Sequence, residues 1–470
     1  MEFLRKKIIL LIISFFIGLI PLIYLPIASS TNPEILWGKA NTLSGFIALI
    51  TRQGYGTFVP GQFISNSPLH RLIQLSNLHF FVLADFTLVG YFFIVCGLFF
   101  LLKSKPTLLA LFLFGPFFFF YANFPLRDKF ELATVERFMI IFYFLLAIPY
   151  YFGLKWFYQK LIFFRFPTKI LLMILFIIPL AFTVKNYRRL GNLKKTTIAE
   201  NLGKDVFRNA ESPAIIFLSG DTILFNTQYI YYSNKKDYLD KIPIHSSKIA
   251  ADYYHQSLQK FYPKLKFSKK KQYGMAQFID DNIETFNIYS NEKYSLPASY
   301  PYRWIFQGIL FKLVPKKNMN NLDAEKTIDN FWLKAKNKDL KSYYLQNKIH
   351  WLNYFPNDIL RLYSTAHQNT AYYYLEINKP LLAFSHINQA LTLNPDDTDN
   401  LFLLSVYYVK LKNCQKAEES ILKALDKYKD KLYLFQLEQL TSCYGNLNDK
   451  KRLEGLIKKY TDKSINSLVN

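Results

Sequence analysis

Five apolar runs in the first half of the chain constrain its fold more than anything else in it. They cover about residues 7–26 ("KIILLIISFFIGLIPLIYLP"), 79–102, 106–123, 136–154 and 168–184. Each approaches the 17 to 25 residues that a helix needs to cross roughly 30 Å of hydrocarbon. Water-soluble helices of this length carry charge on one face, and these do not. The expectation is an α-helical membrane bundle of about five spans at residues 1–184, the first of them an uncleaved span.

Lysine and arginine in the short connections set the orientation. Arg5, Lys6 and Lys7, then Lys103 and Lys105, then Lys155, Lys160, Arg165 and Lys169 fall on one side if the N-terminus is inside. The longer segments 27–78 and 124–135 then lie outside, and five spans deliver the C-terminal half to the outer face. Arg188 and Arg189 count against this, although long translocated domains answer weakly to local charge. The expected location is the cytoplasmic (inner) membrane of a bacterium, multi-pass, with the C-terminal half extracytoplasmic.

Composition changes near "VKNYRRLGNLKK", after which Lys, Asn, Asp and Tyr replace the Phe, Ile and Leu runs. Net charge is +24, but the lysines are dispersed through amphipathic segments, so no nucleic-acid partner is expected. The three cysteines, Cys96, Cys414 and Cys443, form no CxxC or Cys/His cluster. No structural zinc and no disulfide framework are therefore expected. The seven histidines share no ligand spacing and no nucleotide-binding glycine loop occurs, so no metal and no cofactor are expected.

An extracytoplasmic α/β domain is expected over 185–321. "AIIFLSGD" reads as a buried strand ending in a turn at Gly220 and Asp221, and "ETFNIYS" and "YRWIFQGILFKLV" supply further strands. Strand ends of this kind carry ligand sites in α/β domains, although a solvated turn is the plainer reading of Gly220–Asp221. From 322 to 470 the pattern is helical and repeats. Tyr374, Ile377, Ala383, Ile387 and Ala390 recur 34 residues later as Tyr408, Leu411, Ala417, Ile421 and Ala424. That period, with small alanines where paired helices approach and Pro395 at the turn, is that of a tetratricopeptide-like helical stack. Leu447, Leu453 and Ile457 continue it after a 36-residue step. Such a stack is expected to bind a protein or peptide or to pack on the α/β domain.

Two places in the apolar half carry candidate chemistry. Asp85 lies within the second apolar run, where an ionisable group is a functional candidate by default. The outer segment "PLRDKFELATVERF" holds Arg127, Glu136 and Arg137, and an arginine fork suits a lipid phosphate. Pairing of Asp85 with Arg127 or Arg137 is the structural alternative. In the outer loop 27–78, "TLSGFIALITRQGYG" spaces Leu43, Phe46, Ile47, Leu49 and Ile50 as one face of a short interfacial helix, with Trp37 and Arg52 flanking it.

"YLPIASSTNPEILWGKANTLSGFIALITRQGYG" resembles the outer-loop passage of a family of polytopic membrane proteins long labelled a domain of unknown function, whose eukaryotic relatives are protein O-mannosyltransferases of the type C glycosyltransferase superfamily. Asn32, Pro33, Trp37, Gly38, Thr42, Gly45, Phe46, Arg52, Gln53 and Tyr55 carry the resemblance. "SPAIIFLSGDTILFNTQYIYY" and "YSLPASYPYRWIFQGILFKL" resemble later segments of the same family. Together Trp37, Arg52, Asp85, Arg127, Glu136 and Arg137 are expected to line an outer groove for a lipid phosphate, and the resemblance implies that the lipid is a polyprenyl-phosphate sugar acting as donor. The family's acidic Asp-x-Gly-Glu loop precedes the Trp-Gly passage by several spans and does not occur in these 470 residues. The expectation is therefore a half-enzyme or truncated form, with membrane lipid and a second chain supplying the catalytic half as partners. The alternative is a non-catalytic, membrane-anchored repeat scaffold that binds an envelope partner.

Overall fold

The structure is a computed structural model. It describes residues 2–36, 38–51, 53, 68–122, 138–163, 197–268, 274–317, 321–337, 340, 354–395 and 397–427, with scattered positions of 167–187 and 436–458. The chain is mostly helical (71%), with a small mixed sheet. It divides into two compact units, residues 1–196 with 249–267, and residues 197–248 with 268–470.

The first unit runs through α1 (Glu2–Leu19), α2 (Tyr24–Ser30), α3 (Leu43–Ile50), α4 (Pro68–Leu101), α5 (Lys105–Phe112), α6 (Phe118–Ala122) and α7 (Met139–Phe163). Among the described residues three stretches are long and apolar enough to cross a membrane: Ile12–Ser30, Leu78–Leu101 and Met139–Phe163. The expected third run appears as the shorter apolar helix Lys105–Tyr121, and the expected fifth, 168–184, lies largely outside the described residues. α4, α6 and α7 share a core of Leu78, Phe81, Ile94, Phe119, Met139, Phe142 and Leu146.

Glycine lets α4 and α7 meet backbone to backbone. A Cβ on Gly97 would lie 1.7 Å from the Pro149 carbonyl oxygen, and one on Gly153 would lie 1.9 Å from that of Phe93. No other residue fits either place. Short approach of this kind is how helices associate where water gives them no hydrophobic drive.

The second unit opens with α8 (Ile198–Asn209), β1 (Ala214–Leu218), α9 (Asp221–Ser233) and β2 (Lys241–His245). It continues through α11 (Met275–Asn282), β3 (Asn287–Ser290), β4 (Tyr302–Phe306) and β5 (Phe311–Pro315). α10 (Asp252–Phe261), which falls between β2 and α11, belongs to the first unit. The sheet order is β2-β1-β3-β5-β4; β1 pairs parallel with β2 and β3, and the β4–β5 hairpin joins antiparallel. The three stretches expected as strands form β1, β3 and the β4–β5 pair. β1 is buried along its whole length, as a central parallel strand should be.

Then come α12 (Asn321–Lys334), α13 (Tyr354–Glu376), α14 (Pro380–Leu393), α15 (Thr398–Lys410) and α16 (Cys414–Lys427). α14 and α16 start 34 residues apart, and α13 and α15 end 34 apart. The turns repeat too. Asn378 and Lys412 both take left-handed backbone, at φ 59° and 56°. The next amide reaches back to the tyrosine carbonyl in each, Lys379 N to Tyr374 O at 2.7 Å and Asn413 N to Tyr408 O at 2.9 Å. This is one helix-terminating motif used twice. Ala383, Ala390, Ala417 and Ala424 are fully buried, and Leu453 joins the core of the second hairpin.

Two features tie this unit together. The Asp205 carboxylate on α8 accepts hydrogen bonds from the Tyr363 hydroxyl at 2.6 Å and from the Lys336 and Asn337 amides. Burial raises its pKa, against the lowering effect of those bonds. Cys414 and Cys443 form a disulfide with Cα atoms 5.8 Å apart, which corrects the expectation of no disulfide. The two cysteines stand 29 residues apart with no local motif, and only the helical hairpin geometry brings them together.

Candidate functional site

α4 does not run straight. Thr87 has φ 60° and ψ 173°, which breaks the helix, and its hydroxyl is buried with no hydrogen-bond partner among the described residues. Twelve residues of unbroken helix would separate His79 from Tyr91 by about 18 Å. Instead the Tyr91 hydroxyl lies 2.9 Å from His79 Nδ1, and the rings meet edge to face at 4.9 Å. The break therefore folds the helix sharply.

Asp85 sits beside this break, exposed, and its Oδ2 accepts a hydrogen bond from the Tyr143 hydroxyl of α7 at 2.5 Å. Phe86 packs edge to face on the Tyr143 ring, 5.5 Å between centroids, which fixes the phenol. A carboxylate held by a phenol retains open acceptor positions, so it can take further hydrogen bonds from hydroxyl or ammonium groups. Of the other expected groove residues, Trp37, Arg52, Arg127, Glu136 and Arg137 lie outside the described residues.

The described part of the Trp-Gly passage forms a compact cap. Thr42 caps α3 by accepting from Gly45 N at 3.2 Å, and a Cβ on Gly45 would strike the Lys39 carbonyl at 2.0 Å. Ala40 and Leu36 are buried, and Ala40 N donates to the buried Ser29 hydroxyl at 2.9 Å. α3 itself keeps its apolar residues outward: Leu43 is 76% exposed and Ile47 48%. This is the helix expected from the spacing.

The cap is clamped by α10 and the residues after it. Ser257 donates to the Pro33 carbonyl, Lys260 Nζ to the carbonyls of Thr31 at 2.9 Å and Asn32 at 3.3 Å, and Tyr262 to the Glu34 carboxylate. Apart from the Glu34 carboxylate, the acceptors are main-chain carbonyls freed where α2 ends and Asn32 turns with φ 46°. Nothing in the sequence pointed to this pairing.

At the carboxyl end of β1, Gly220 has φ 88°, open to glycine, and precedes α9, with Asp221 in its first turn. The neighbouring polar groups bond to each other: Asn291 bridges the Ser219 amide at 2.7 Å and its carbonyl at 3.0 Å, and Ser246 donates to the Leu218 carbonyl. Burial and the Lys248 charge lower the His245 pKa, with Asp221 opposing. Gly220 and Asp221 thus follow a strand end whose neighbouring polar groups satisfy one another.

Sequence spacing gave no sign of a histidine pair in the second unit. His367 and His386 approach to 2.8 Å between Nδ1 atoms, with Trp332 stacked on His367 at 3.8 Å. Burial pushes His386 down to about 4, and burial with the neighbouring His386 holds His367 well below its ordinary value, so both are neutral at pH 7. They form a stacked core contact. Comparison of the chain with family models, curated proteins and solved structures gives no match.

Proposed function

We propose that this chain is a multi-pass inner-membrane protein, resembling the later spans and outer domain of a type C glycosyltransferase, that binds a polyprenyl-phosphate sugar at the outer face. Asp85 and Tyr143 meet the sugar. The observation that carries this is the position of that pair. Tyr143 lies four residues, about 6 Å, inside the outer end of α7. Asp85 lies seven residues, about 10 Å, inside the apolar stretch that starts at Leu78. A carboxylate at this depth is held there for a ligand or a partner, and sugar hydroxyls are suitable donors to it. The phosphate falls to Arg52, Arg127 and Arg137.

Two further observations support the topology with the polar half outside. The 249–267 segment shares a face with the loop after the first span. The Cys414–Cys443 disulfide fits an oxidising space and not a cytoplasm. The scaffold alternative is favoured by the repeats, where Leu381, Leu382 and Leu411 stand exposed around the hairpin turns as a surface for a protein or peptide.

Binding of polyprenyl-phosphate mannose and bare polyprenyl phosphate to the detergent-purified chain separates the two. The sugar-bearing lipid should bind more tightly, and Asp85→Asn should remove that preference, a loss of roughly tenfold or more for a hydrogen bond to a charged group. Equal binding of both lipids, or an unchanged preference in the variant, leaves the scaffold reading.

A further inference from the structure

A cleft of about 630 Å³ opens in the second unit between the edge strand β4 and α13. Its helical wall is Asn369, Tyr372, Tyr373 and Glu376, spaced i, i+3, i+4, i+7, with Ile377 just past the helix end, so one stripe of α13 faces the cavity. The adjacent stripe, Tyr363, Ala366, Thr370 and Tyr374, is buried in the core. A helix laid against a sheet edge would ordinarily present apolar residues there. This one presents an amide, two phenols and a carboxylate.

The strand wall contributes Arg303, whose Nε is buried and has no hydrogen-bond partner among the described residues. A guanidinium carries five N–H donors in a planar fork, and an anion placed in the cleft can accept from the terminal nitrogens that face it. Lys293 stands at the rim, with its ammonium 5.1 Å from the centre of the Phe311 ring. Two cations and one carboxylate, Glu376, leave the cleft with a single net positive charge. That balance suits one carboxylate better than a doubly charged phosphate. The tyrosine rings offer flat apolar faces, while Asn369 and Glu376 offer a donor and acceptors to hydroxyl groups. The volume is within the ordinary range of small-molecule sites.

We propose that this cleft binds a sugar acid, a saccharide ring bearing one carboxylate, with Arg303 holding the carboxylate and the α13 stripe holding the ring. The site is independent of the reading of Asp85 and can stand or fall without it. It gives the extracytoplasmic unit a ligand class of its own, acidic saccharide, where the repeats alone would suggest a peptide.

The test is calorimetric titration of the full-length chain in detergent with glucuronate, glucose, glucose 6-phosphate and inorganic phosphate. Glucuronate should bind saturably, and at least roughly tenfold more tightly than glucose, because only it engages the guanidinium. Arg303→Met should lose that factor while thermal unfolding holds, since methionine keeps much of the side chain's apolar stem. Asn369→Leu, which leaves Arg303 in place, should weaken glucuronate by roughly threefold or more through a lost neutral hydrogen bond. The proposal is overturned by any of four results: no saturation of wild-type protein by about 10 mM glucuronate, glucose binding as tightly, either phosphate probe binding more tightly, or both variants titrating like wild type.

Discussion

The α4–α7 crossing and the α13–α16 hairpins solve the same problem, bringing two helices close, by different means. At the crossing, Gly97 and Gly153 remove the side chain altogether and the backbones touch at the Pro149 and Phe93 carbonyls. In the hairpins, alanines at 383, 390, 417 and 424 keep a methyl at the contact, and larger neighbours such as Ile387 and Ile421 fill the space around them. The repeat helices, in water, gain from every apolar atom they bury. Helices in the membrane setting proposed above gain little from apolar burial against lipid tails, so packing distance becomes the available lever. Tolerance to change should differ accordingly.

The largest effect is expected at the crossing. Gly153→Leu places atoms where the Phe93 carbonyl already lies, so the helices must separate along their length. Overpacking ordinarily costs about 1 to 3 kcal/mol, and a backbone obstruction belongs at or beyond the top of that range. Gly18→Ala is the control, because nothing lies within 4 Å of its Cβ position. Thermal unfolding in detergent should fall sharply for the first and hold for the second. Equal tolerance of the two would erase the distinction between the regions.

A smaller effect sharpens the other side of the comparison. Glu418 and Arg452 are 34 residues apart, and the guanidinium grips both carboxylate oxygens, with Tyr444 donating to Oε2 at 2.6 Å. Burial alone would raise the Glu418 pKa, but the hydrogen bonds from Arg452 and Tyr444, with the Arg452 charge, lower it below the ordinary 4.5. Because the folded value lies under the unfolded one, the stabilisation is fully present above about pH 4.5 and is lost as pH falls through the folded value. Arg452→Gln should cost roughly 1 to 2 kcal/mol at pH 7, the worth of hydrogen bonds to a charged group reduced by water at the half-exposed guanidinium. It should also flatten the acid limb of the unfolding profile. A variant that keeps the wild-type acid limb would show that the pair does not join the third repeat segment to the second.

The two regions were also unequally legible. The repeat could be read because its residues recur at a fixed period and each alanine has the same job. β1, β3 and the β4–β5 hairpin were legible as apolar runs bounded by turn residues. β2 was not, because "KIPIH" is short and carries Pro243, which suits an edge strand but breaks the usual strand pattern. Asp85 stood out as a charge in an apolar run, yet its partner Tyr143 is 58 residues away and looks like any interfacial aromatic. The break at Thr87 has no proline or glycine to announce it. The hold of α10 on residues 31–34 uses main-chain carbonyls as acceptors, which no side-chain pattern encodes. The disulfide and the Gly97–Gly153 crossing depend on contacts between helices whose relative placement the sequence does not state.

The smallest effect asks whether the two repeat turns are equivalent in energy as they are in shape. Asn378 and Lys412 occupy the same left-handed position with φ within a few degrees of each other. Asparagine tolerates that conformation better than lysine, whose Cβ crowds the following carbonyl. Lys412→Gly removes the crowding and supplies the residue that helix ends of this kind favour. Glycine also gains freedom in the unfolded chain, so the net gain should be modest, roughly 0.5 to 1 kcal/mol. Asn378→Gly should gain less, within a few tenths. Denaturant unfolding of the full-length chain, followed by a probe in the repeat segment, would measure both. The same gain at the two sites would mean that asparagine is no better than lysine there. A loss at Lys412 would mean that its side chain does something at the turn that the shared backbone geometry does not reveal, and the equivalence of the two hairpins would fail at its most local point.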